Sequence, residues 1–180
     1  MIDHIVRFTV PAAYALLPAR MASPNATAMM LAIGLTESKF LERLQLPNGP
    51  ARSFWQYERA SLFGIAGHPA SAVHLVAVLD ALRYLSSGVD PTSRADLTAV
   101  TFAAVQHNDT LACCCARLLL RTLPAALPGP RDVEAGWAQY LEAWRPGAVL
   151  RGTKQQQRKR RALWATHYAD AWARVEEDES

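Results

Sequence analysis

The stretch from Pro24 to Leu44, PNATAMMLAIGLTESKFLERL, decides the fold of this chain. Its apolar residues recur at steps of three and four, which is the spacing of one face of a helix. The stripe consists of Ala26, Met29, Met30, Ile33, Glu37, Phe40, Leu41 and Leu44, and Glu37 is its one polar member. Ser23 and Pro24 are typical of an N-cap and a first helical residue. We therefore predict one long helix that ends near Leu44.

Glu37 is the candidate functional residue of this stripe. A carboxylate on a buried helix face loses hydration, so its charged form is disfavoured. A carboxyl group that keeps its proton near neutral pH can act as a general acid. The alternatives are a glutamate at the edge of the stripe, or one paired with an arginine such as Arg52.

Composition places the chain among globular all-α proteins. With 180 residues, 51% of them hydrophobic and 19% charged, it is long enough for one core and too apolar for a disordered chain. Alanine and leucine are abundant and β-branched residues are sparse, which favours helices. The formal net charge of +3 is too small to argue for nucleic acid by itself.

Periodicity and turn residues predict seven helices and no strand. Besides the helix from Pro24, we expect a first helix from near Pro11 to about Pro18, and further helices over about residues 69–84, 93–106, 111–122, 132–144 and 154–175. Residues 45–67, rich in proline and glycine, read as a long irregular loop, a kind of segment that is often functional. The prolines at 124, 128 and 130 divide a domain over residues 1–123 from a helical extension over residues 124–180, which we expect to dock on the same globule.

The three consecutive cysteines, Cys113, Cys114 and Cys115, point in different directions on a helix. They lack the spacing of a zinc site and the even number of a disulfide framework, so we predict free thiols that are buried or half-buried on a helix. No apolar run is long enough to span a membrane, and no clear signal peptide is present. We expect a protein made in the cytoplasm, without metal or cofactor, which reaches the cell wall or periplasm only if phage machinery delivers it.

Two segments carry a resemblance to a known family. AIGLTESKF at residues 32–40 contains Glu37-Ser38, and GPARSFWQ at residues 49–56 ends in Gln56. Together they resemble the catalytic signature of soluble lytic transglycosylases and goose-type lysozymes of the lysozyme-like superfamily. Ser53 stands where that family has a glycine, and His107, before Asn108, stands where it has a tyrosine. The segments 54–58, 108–112 and 140–147 also resemble small phage or prophage proteins related to the superfamily.

The resemblance implies a lysozyme-like helical domain that cleaves the β-1,4 bond between MurNAc and GlcNAc in peptidoglycan. Glu37 would be the general acid and then the base, and a transglycosylase needs no second carboxylate because the sugar's own 6-hydroxyl attacks. A hydrolase usually needs one, and Glu58 is the nearest candidate, with Asp109 more distant. The candidate substrate-binding residues are Ser38, Trp55, Gln56, Tyr57, His107 and Asn108.

Alternatives remain for most of these residues. Along residues 54–57, alternation would turn either Phe54 and Gln56 or Trp55 and Tyr57 toward a cleft, and the resemblance favours Gln56. Glu58 could form a surface ion pair, Gln56 could hold the loop, and Asn108 could cap a helix. We predict that the aromatic stripes Trp137/Tyr140/Trp144 and Trp164/Tyr168/Trp172 are core packing.

The basic run from Arg151 to Arg161 is the remaining distinctive segment. It is a solvated helix face or a contact for an anionic surface such as peptidoglycan carboxylates, lipid phosphates or nucleic acid. We expect a peptidoglycan glycan strand as the partner, no obligatory nucleic acid, and a monomer. The competing functions are a non-catalytic lysozyme-like glycan-binding or phage structural protein, and a small α-helical nucleic-acid-binding protein.

Overall fold

The computed structural model describes residues 1–45, 47, 49–146, 149 and 151–178. Across these residues it contains eight helices and no strand, which confirms the all-α prediction. Helix α1 comprises the segments Ile2–His4, Ile5–Thr9 and Val10–Ala15 and precedes a 3-10 turn, Ala19–Met21; the others are α2 (Pro24–Glu37), α3 (Arg59–Gly67), α4 (Ala72–Ala81), α5 (Arg94–Ala104), α6 (Asp109–Arg121), α7 (Val133–Trp144) and α8 (Lys154–Asp178). Gly147, the end of the segment 140–147, lies outside the described residues.

Helix α1 begins well before Pro11, where we placed its start. A proline inside a helix lacks the N–H donor and crowds the carbonyl four residues earlier. The turn before it, Ile5–Thr9, has the wider π-helical geometry, in which each N–H group donates to the carbonyl oxygen five residues earlier. The helix therefore passes through the proline, because a local change of geometry surrounds it.

Helix α2 ends at Glu37, not near Leu44, so the prediction of its length was wrong. Lys39 and Phe40 both have a φ of 55°, in the left-handed region. The chain reverses there and lays the Phe40 ring against Gly34, where an added Cβ would lie 2.2 Å from the ring Cζ atom. Phe40 is fully buried, whereas Leu44 is 40% exposed. The apolar spacing thus continues in the sequence as far as Leu44, whereas the helix ends at Glu37.

Helix α3 occupies the second half of the segment we predicted as a loop. Gly64 and Gly67 suggested an irregular chain, but Leu62, Ile65 and Ala66 form a buried face. Burial of this face stabilises the helix, because tertiary packing can exceed the helix penalty of two glycines. The first half of the segment is irregular, as predicted, with left-handed residues at Ser53 and Gln56.

Helix α6 is the centre of the core and packs against α1, α2, α3 and α4. All of its residues from Leu111 to Leu120 are buried. The three cysteines are free and buried, as predicted. Burial raises the pKa of each thiol, and it raises that of Cys114 to about 12, so these thiols stay protonated and inert.

The C-terminal helices α7 and α8 pack against the preceding part of the chain, and α8 runs along α2. Tyr140 of α7 stacks on Trp164 of α8, with 4.9 Å between the ring centroids. Both residues are fully buried, whereas Trp137 and Trp144 are half-buried. The core-packing prediction is therefore confirmed for Tyr140 and for the whole second stripe, since Tyr168 and Trp172 are buried too; Trp137 and Trp144 pack against the core while only partly buried.

In the described part of the chain no single helix is long and apolar enough to cross a membrane; by length and composition alone, α3 and α4 together, bent by 107°, meet that requirement.

Candidate functional site

A groove opens where helix α2 ends. Its cavity has a volume of about 940 Å³, in the range of a pocket for a mid-sized organic ligand. The end of α2, the loop that follows it, and residues of α3, α6, α7 and α8 form its walls. Of the predicted site residues, Glu37, Ser38, Gln56 and Glu58 line this groove, and so do Thr36, Trp144, Arg160 and His167.

Glu37 is held in the groove wall by two donors from the C-terminal helices. Its Oε1 atom accepts a hydrogen bond from the Tyr140 hydroxyl at 2.5 Å and another from Nη2 of Arg160 at 2.8 Å. The guanidinium also donates to the Tyr140 hydroxyl, from Nη2 at 2.8 Å and from Nε at 3.2 Å. The side chains of Glu37 and Arg160 are 13% and 22% exposed, so the ion pair is mostly shielded from water.

The charges of this cluster shift the pKa values of the two groups that donate to Oε1 of Glu37. Burial and then the charge of Glu37 raise the pKa of Tyr140, which therefore keeps its proton and donates it to Oε1. Burial lowers the pKa of Arg160, but the charge of Glu37 and the contacts with Tyr140 outweigh it, and the net shift is upward. The alternative of an arginine partner is thus realised with Arg160 and not with Arg52. Oε2 of Glu37 has no hydrogen-bond partner among the described residues.

Ser38 and Gln56 organise the loop beside Glu37. The Ser38 hydroxyl donates to the carbonyl oxygen of Phe54 at 2.7 Å, which ties the end of α2 to the glutamine loop. The Gln56 amide donates to the carbonyl oxygens of Ser53 at 2.8 Å and Glu42 at 3.2 Å. Ser53 has a φ of 67°, a conformation that favours glycine. Ser53 therefore holds a backbone conformation that glycine adopts more readily than serine.

Trp55 and Tyr57 lie in the core, which corrects their assignment as surfaces for a sugar. Both are fully buried. Trp55 donates to the carbonyl oxygen of Met30 at 2.9 Å, and Tyr57 donates to that of Ala112 at 2.9 Å. Trp144 is the aromatic residue of the groove: it is half-buried, and its indole N–H donates to the carbonyl oxygen of Trp55 at 2.9 Å. One face of a sugar can pack on a ring in such a position.

His107 and Asn108 lie outside the groove, so the assignment of both to substrate binding is also corrected. His107 is exposed at the turn between α5 and α6. Asn108 caps α6, since its Oδ1 atom accepts from the N–H of Leu111 at 2.9 Å. Glu58 is exposed on the groove and precedes α3. Asp109, the more distant candidate, is bound by Arg43 through two hydrogen bonds of 3.0 and 2.6 Å.

Thr36 and His167 form a buried pair in the groove wall. The Thr36 hydroxyl has one proton and donates it to the carbonyl oxygen of Ala32 at 2.7 Å. It must therefore accept the hydrogen bond of 3.0 Å that joins it to Nδ1 of His167. Burial lowers the pKa of His167, and Lys39 and Arg160 add to this while Asp170 opposes it. The imidazole is thus neutral, protonated on Nδ1, with a lone pair on Nε2.

Nε2 of His167 has no hydrogen-bond partner among the described residues, and it is not one of the side-chain atoms sealed from solvent. Because His167 lines the groove, this nitrogen is available to accept a proton or a hydrogen bond there. The sequence analysis missed it, although the signal was present: His167 is a polar residue on the buried stripe of Trp164 and Tyr168, as Glu37 is on the stripe of α2.

The basic run is divided between ion pairs and solvent. Arg160 binds Glu37, and Arg161 forms an ion pair with Glu134. Arg158 and Lys159 are exposed. Two of the four cations from 158 to 161 are thus already paired, which weakens the case for a nucleic-acid contact on this helix.

No group of three or more His, Cys, Asp or Glu side chains in the described ranges is arranged to hold a metal ion. Comparisons of the chain with protein-family models, with curated proteins and with solved structures found no match.

Proposed function

We propose that this chain binds a peptidoglycan strand in the groove and cleaves its β-1,4 MurNAc–GlcNAc bond, as a lytic transglycosylase or muramidase with Glu37 as general acid and base. One observation carries the proposal: the Glu37 carboxyl is fixed in the wall of a glycan-sized groove, and none of the described residues forms a hydrogen bond with its Oε2 atom. Support comes from Ser38, which ties the end of α2 to the loop of Gln56, the two segments that carry the family resemblance.

The Arg160 contact sets a condition on the acid step. The glycosidic oxygen must receive a proton as the sugar gains positive character. Glu37 is the donor in this proposal, and the Arg160 guanidinium, 2.8 Å from Oε1, must give up that contact before the carboxyl can act. The long Arg160 side chain is 22% exposed and can turn toward a competing anion. Carboxylates of the peptidoglycan stem are such anions, so substrate binding would release Glu37 for catalysis.

His167 offers a second proton acceptor in the same groove. Its Nε2 lone pair can accept a proton from a water molecule or from a sugar hydroxyl. A hydrolase would use it to activate water, and a transglycosylase to orient the 6-hydroxyl. Trp144 supplies the aromatic surface for a sugar ring. In this proposal Glu58, which is exposed, contributes charge to the groove edge.

The proposal is tested by incubating purified protein with cell-wall sacculi and separating the released muropeptides. Anhydro ends would identify a transglycosylase and reducing ends a hydrolase. Glu37→Gln keeps the shape and a hydrogen-bond acceptor but removes the transferable proton, so we expect turnover to fall by about a hundredfold or more. Glu42→Gln, the same change at an exposed carboxylate of the groove, is the matched control and should retain activity within about twofold. Full activity of Glu37→Gln would show that another group is the acid.

The ion pair itself favours a second candidate, a glycan-binding protein without catalysis. A carboxylate neutralised by Arg160 and Tyr140 is a stable structural element and needs no chemistry to explain it. Binding of N-acetylglucosamine oligomers by the wild type, with no product from sacculi even after Arg160→Gln frees the carboxyl, would establish this function. Product formation by either protein would exclude it.

A further inference from the structure

A second cavity, of about 460 Å³, lies at the opposite end of helix α2 from the groove. We call it the N-terminal pocket of α2. Ser23, Asn25, Arg117, Leu120, Arg121 and Leu127 are among the residues that line it. Arg117, in this lining, belongs to the buried helix α6.

Arg117 is a buried cation that has no ion-pair partner in the part of the chain that the structure describes. The residue is 7% exposed, and its Nε donates to the carbonyl oxygen of Met21 at 2.8 Å. Neither Arg117 nor Arg121 forms an ion pair with any described residue. The terminal nitrogens of Arg117 have no hydrogen-bond partner in the described ranges, and they are not sealed from solvent. They therefore open into the pocket, with four N–H donors in a plane.

The surroundings of Arg117 add positive charge. Burial lowers the pKa of Arg117, the Tyr14 phenol opposes this, and the charge of Arg121 adds to the lowering. Burial and then the charges of Arg20 and Arg121 lower the pKa of His74. An arginine stays charged under such conditions. Buried charges in proteins are normally paired, because an uncompensated one is strongly unfavourable.

The backbone at this place also favours an anion. Ser23 caps α2 by accepting from the N–H of Ala26 at 3.2 Å. The N–H of Asn25, in the first turn of the same helix, donates to no backbone carbonyl among the described residues. The first turn of a helix carries the positive end of the helix dipole. The free donors of Arg117 and the N-terminus of a 14-residue helix thus border one cavity.

We propose that the N-terminal pocket of α2 binds an oxyanion, a phosphate or carboxylate group of a small organic ligand, on the terminal nitrogens of Arg117. The planar guanidinium fork matches two oxygens of either group. A cavity of about 460 Å³ exceeds an inorganic anion, and Leu120 and Leu127 add apolar surface for the rest of the ligand. This site shares only one lining residue, Leu123, with the groove, and it does not depend on the function proposed there.

The test is a titration of the full chain with inorganic phosphate and with acetate, at ionic strength held constant with sodium chloride. The readout is the ¹H–¹⁵N signal of the Arg117 Nε–H group. We expect a saturable shift with phosphate, with acetate, or with both, and the stronger of the two identifies the chemical class. A shift that merely follows ionic strength, or the same shift with chloride alone, would overturn the proposal.

Arg117→Met keeps the volume of the side chain and removes the charge. We expect phosphate or acetate to stop raising its melting temperature, and the variant to melt no lower than the wild type without anion, since it lacks a buried charge. The matched control is Arg131→Met at an exposed position, which should keep the wild-type anion response. If Arg117→Met does not fold, Arg117→Lys serves: it keeps the charge but loses the fork, and the dissociation constant should rise about tenfold. An unchanged anion response in the folded variant would exclude this site.

Discussion

Each end of helix α2 has a charged side chain of the same sign as the helix dipole there. The described residues of the chain supply an opposite charge at only one of the two ends. At the C-terminal end, where the helix dipole is negative, Glu37 adds a further negative charge. Arg160 of α8 supplies the cation, at 2.8 Å from Oε1. At the N-terminal end, where the dipole is positive, Arg117 adds a further positive charge, and no described carboxylate pairs with it. The comparison therefore indicates the N-terminal end of α2 as the place where an anionic ligand would compensate an unpaired charge.

The pKa shifts of the two arginines express the same contrast. The carboxylate of Glu37 and the phenol of Tyr140 outweigh burial and raise the pKa of Arg160. Burial, with Arg121 beside it, lowers the pKa of Arg117. Because Arg160 already pairs with Glu37 at the C-terminal end of α2, a ligand that binds there must displace this contact. The second end gains from any suitable anion.

The largest effect is expected where the chain fixes the end of α2. Gly34→Ala places a Cβ 2.2 Å from the buried Phe40 ring, which must move, so the free energy of unfolding should fall by about 3 kcal/mol. Gly64→Ala is the matched control: its Cβ meets nothing within 4 Å in helix α3, and the free energy should rise by about 0.5–1 kcal/mol. Urea unfolding measures both. Equal behaviour of the two variants would mean that Phe40 does not set the end of the helix.

The next largest effect on the free energy of unfolding is expected from the Glu37–Arg160 ion pair. Arg160→Met leaves a mostly buried carboxylate beside the Tyr140 hydroxyl, so we expect a loss of about 2 kcal/mol. The double variant Glu37→Gln/Arg160→Met removes both charges and should recover at least half of that loss. The coupling energy from the four proteins of this cycle is the relevant measurement. A coupling near zero would contradict the ion pair as the element that stabilises this end.

Sequence reasoning located what local chemistry decides. The N-caps of α2 and α6, Ser23 and Asn108, are recognisable because a short polar side chain accepts from a nearby N–H. The end of α2 was not recognisable, because it depends on Phe40 meeting Gly34 and on the bond of Ser38 to Phe54, which only the folded chain brings together.

The candidate site divides in the same way. Glu37 stood out as a polar residue on an apolar stripe, but its partners Tyr140 and Arg160 follow it by 103 and 123 positions. No spacing rule links residues so far apart. With Gln56 turned to the groove, alternation predicts that Trp55 and Tyr57 face the core, and both are buried there. Phe54, which alternation would place beside Gln56, is buried as well, because the left-handed residues at 53 and 56 interrupt the extended chain. His167 could have been found with the reasoning that found Glu37.

A carboxylate introduced at the N-terminal end of α2 should take the place of the anion that Arg117 lacks among the described residues. Ser23→Asp exchanges one good N-cap for another and adds a carboxylate to the pocket of Arg117. We expect the free energy of unfolding to rise by about 0.5–1 kcal/mol from the charge at the helix N-terminus. The phosphate and acetate responses proposed for that pocket should disappear at the same time. Ser93→Asp, the same change at the N-cap of α5, is the control and should leave those responses intact.

The smallest expected effect is on how the free energy of unfolding depends on pH below neutrality, and it comes from His167 in the groove. Because burial lowers the pKa of His167 below its ordinary value of about 6.5, the unfolded chain binds more protons than the folded chain in the interval between the two values. Stability should therefore fall as the pH drops below about 6.5. Asp170 opposes the shift, whereas Lys39 and Arg160 strengthen it.

His167→Asn tests this contribution, because its amide can replace Nδ1–H as the donor to Thr36 but cannot be protonated. The loss of stability on acidification should become smaller than in the wild type, while His107→Asn, at an exposed position, should leave it unchanged. The part due to His74, whose pKa burial also lowers, remains in both variants. An identical pH dependence in His167→Asn and the wild type would mean that His167 does not enter the fold as the neutral imidazole on which its role as a proton acceptor in the groove depends.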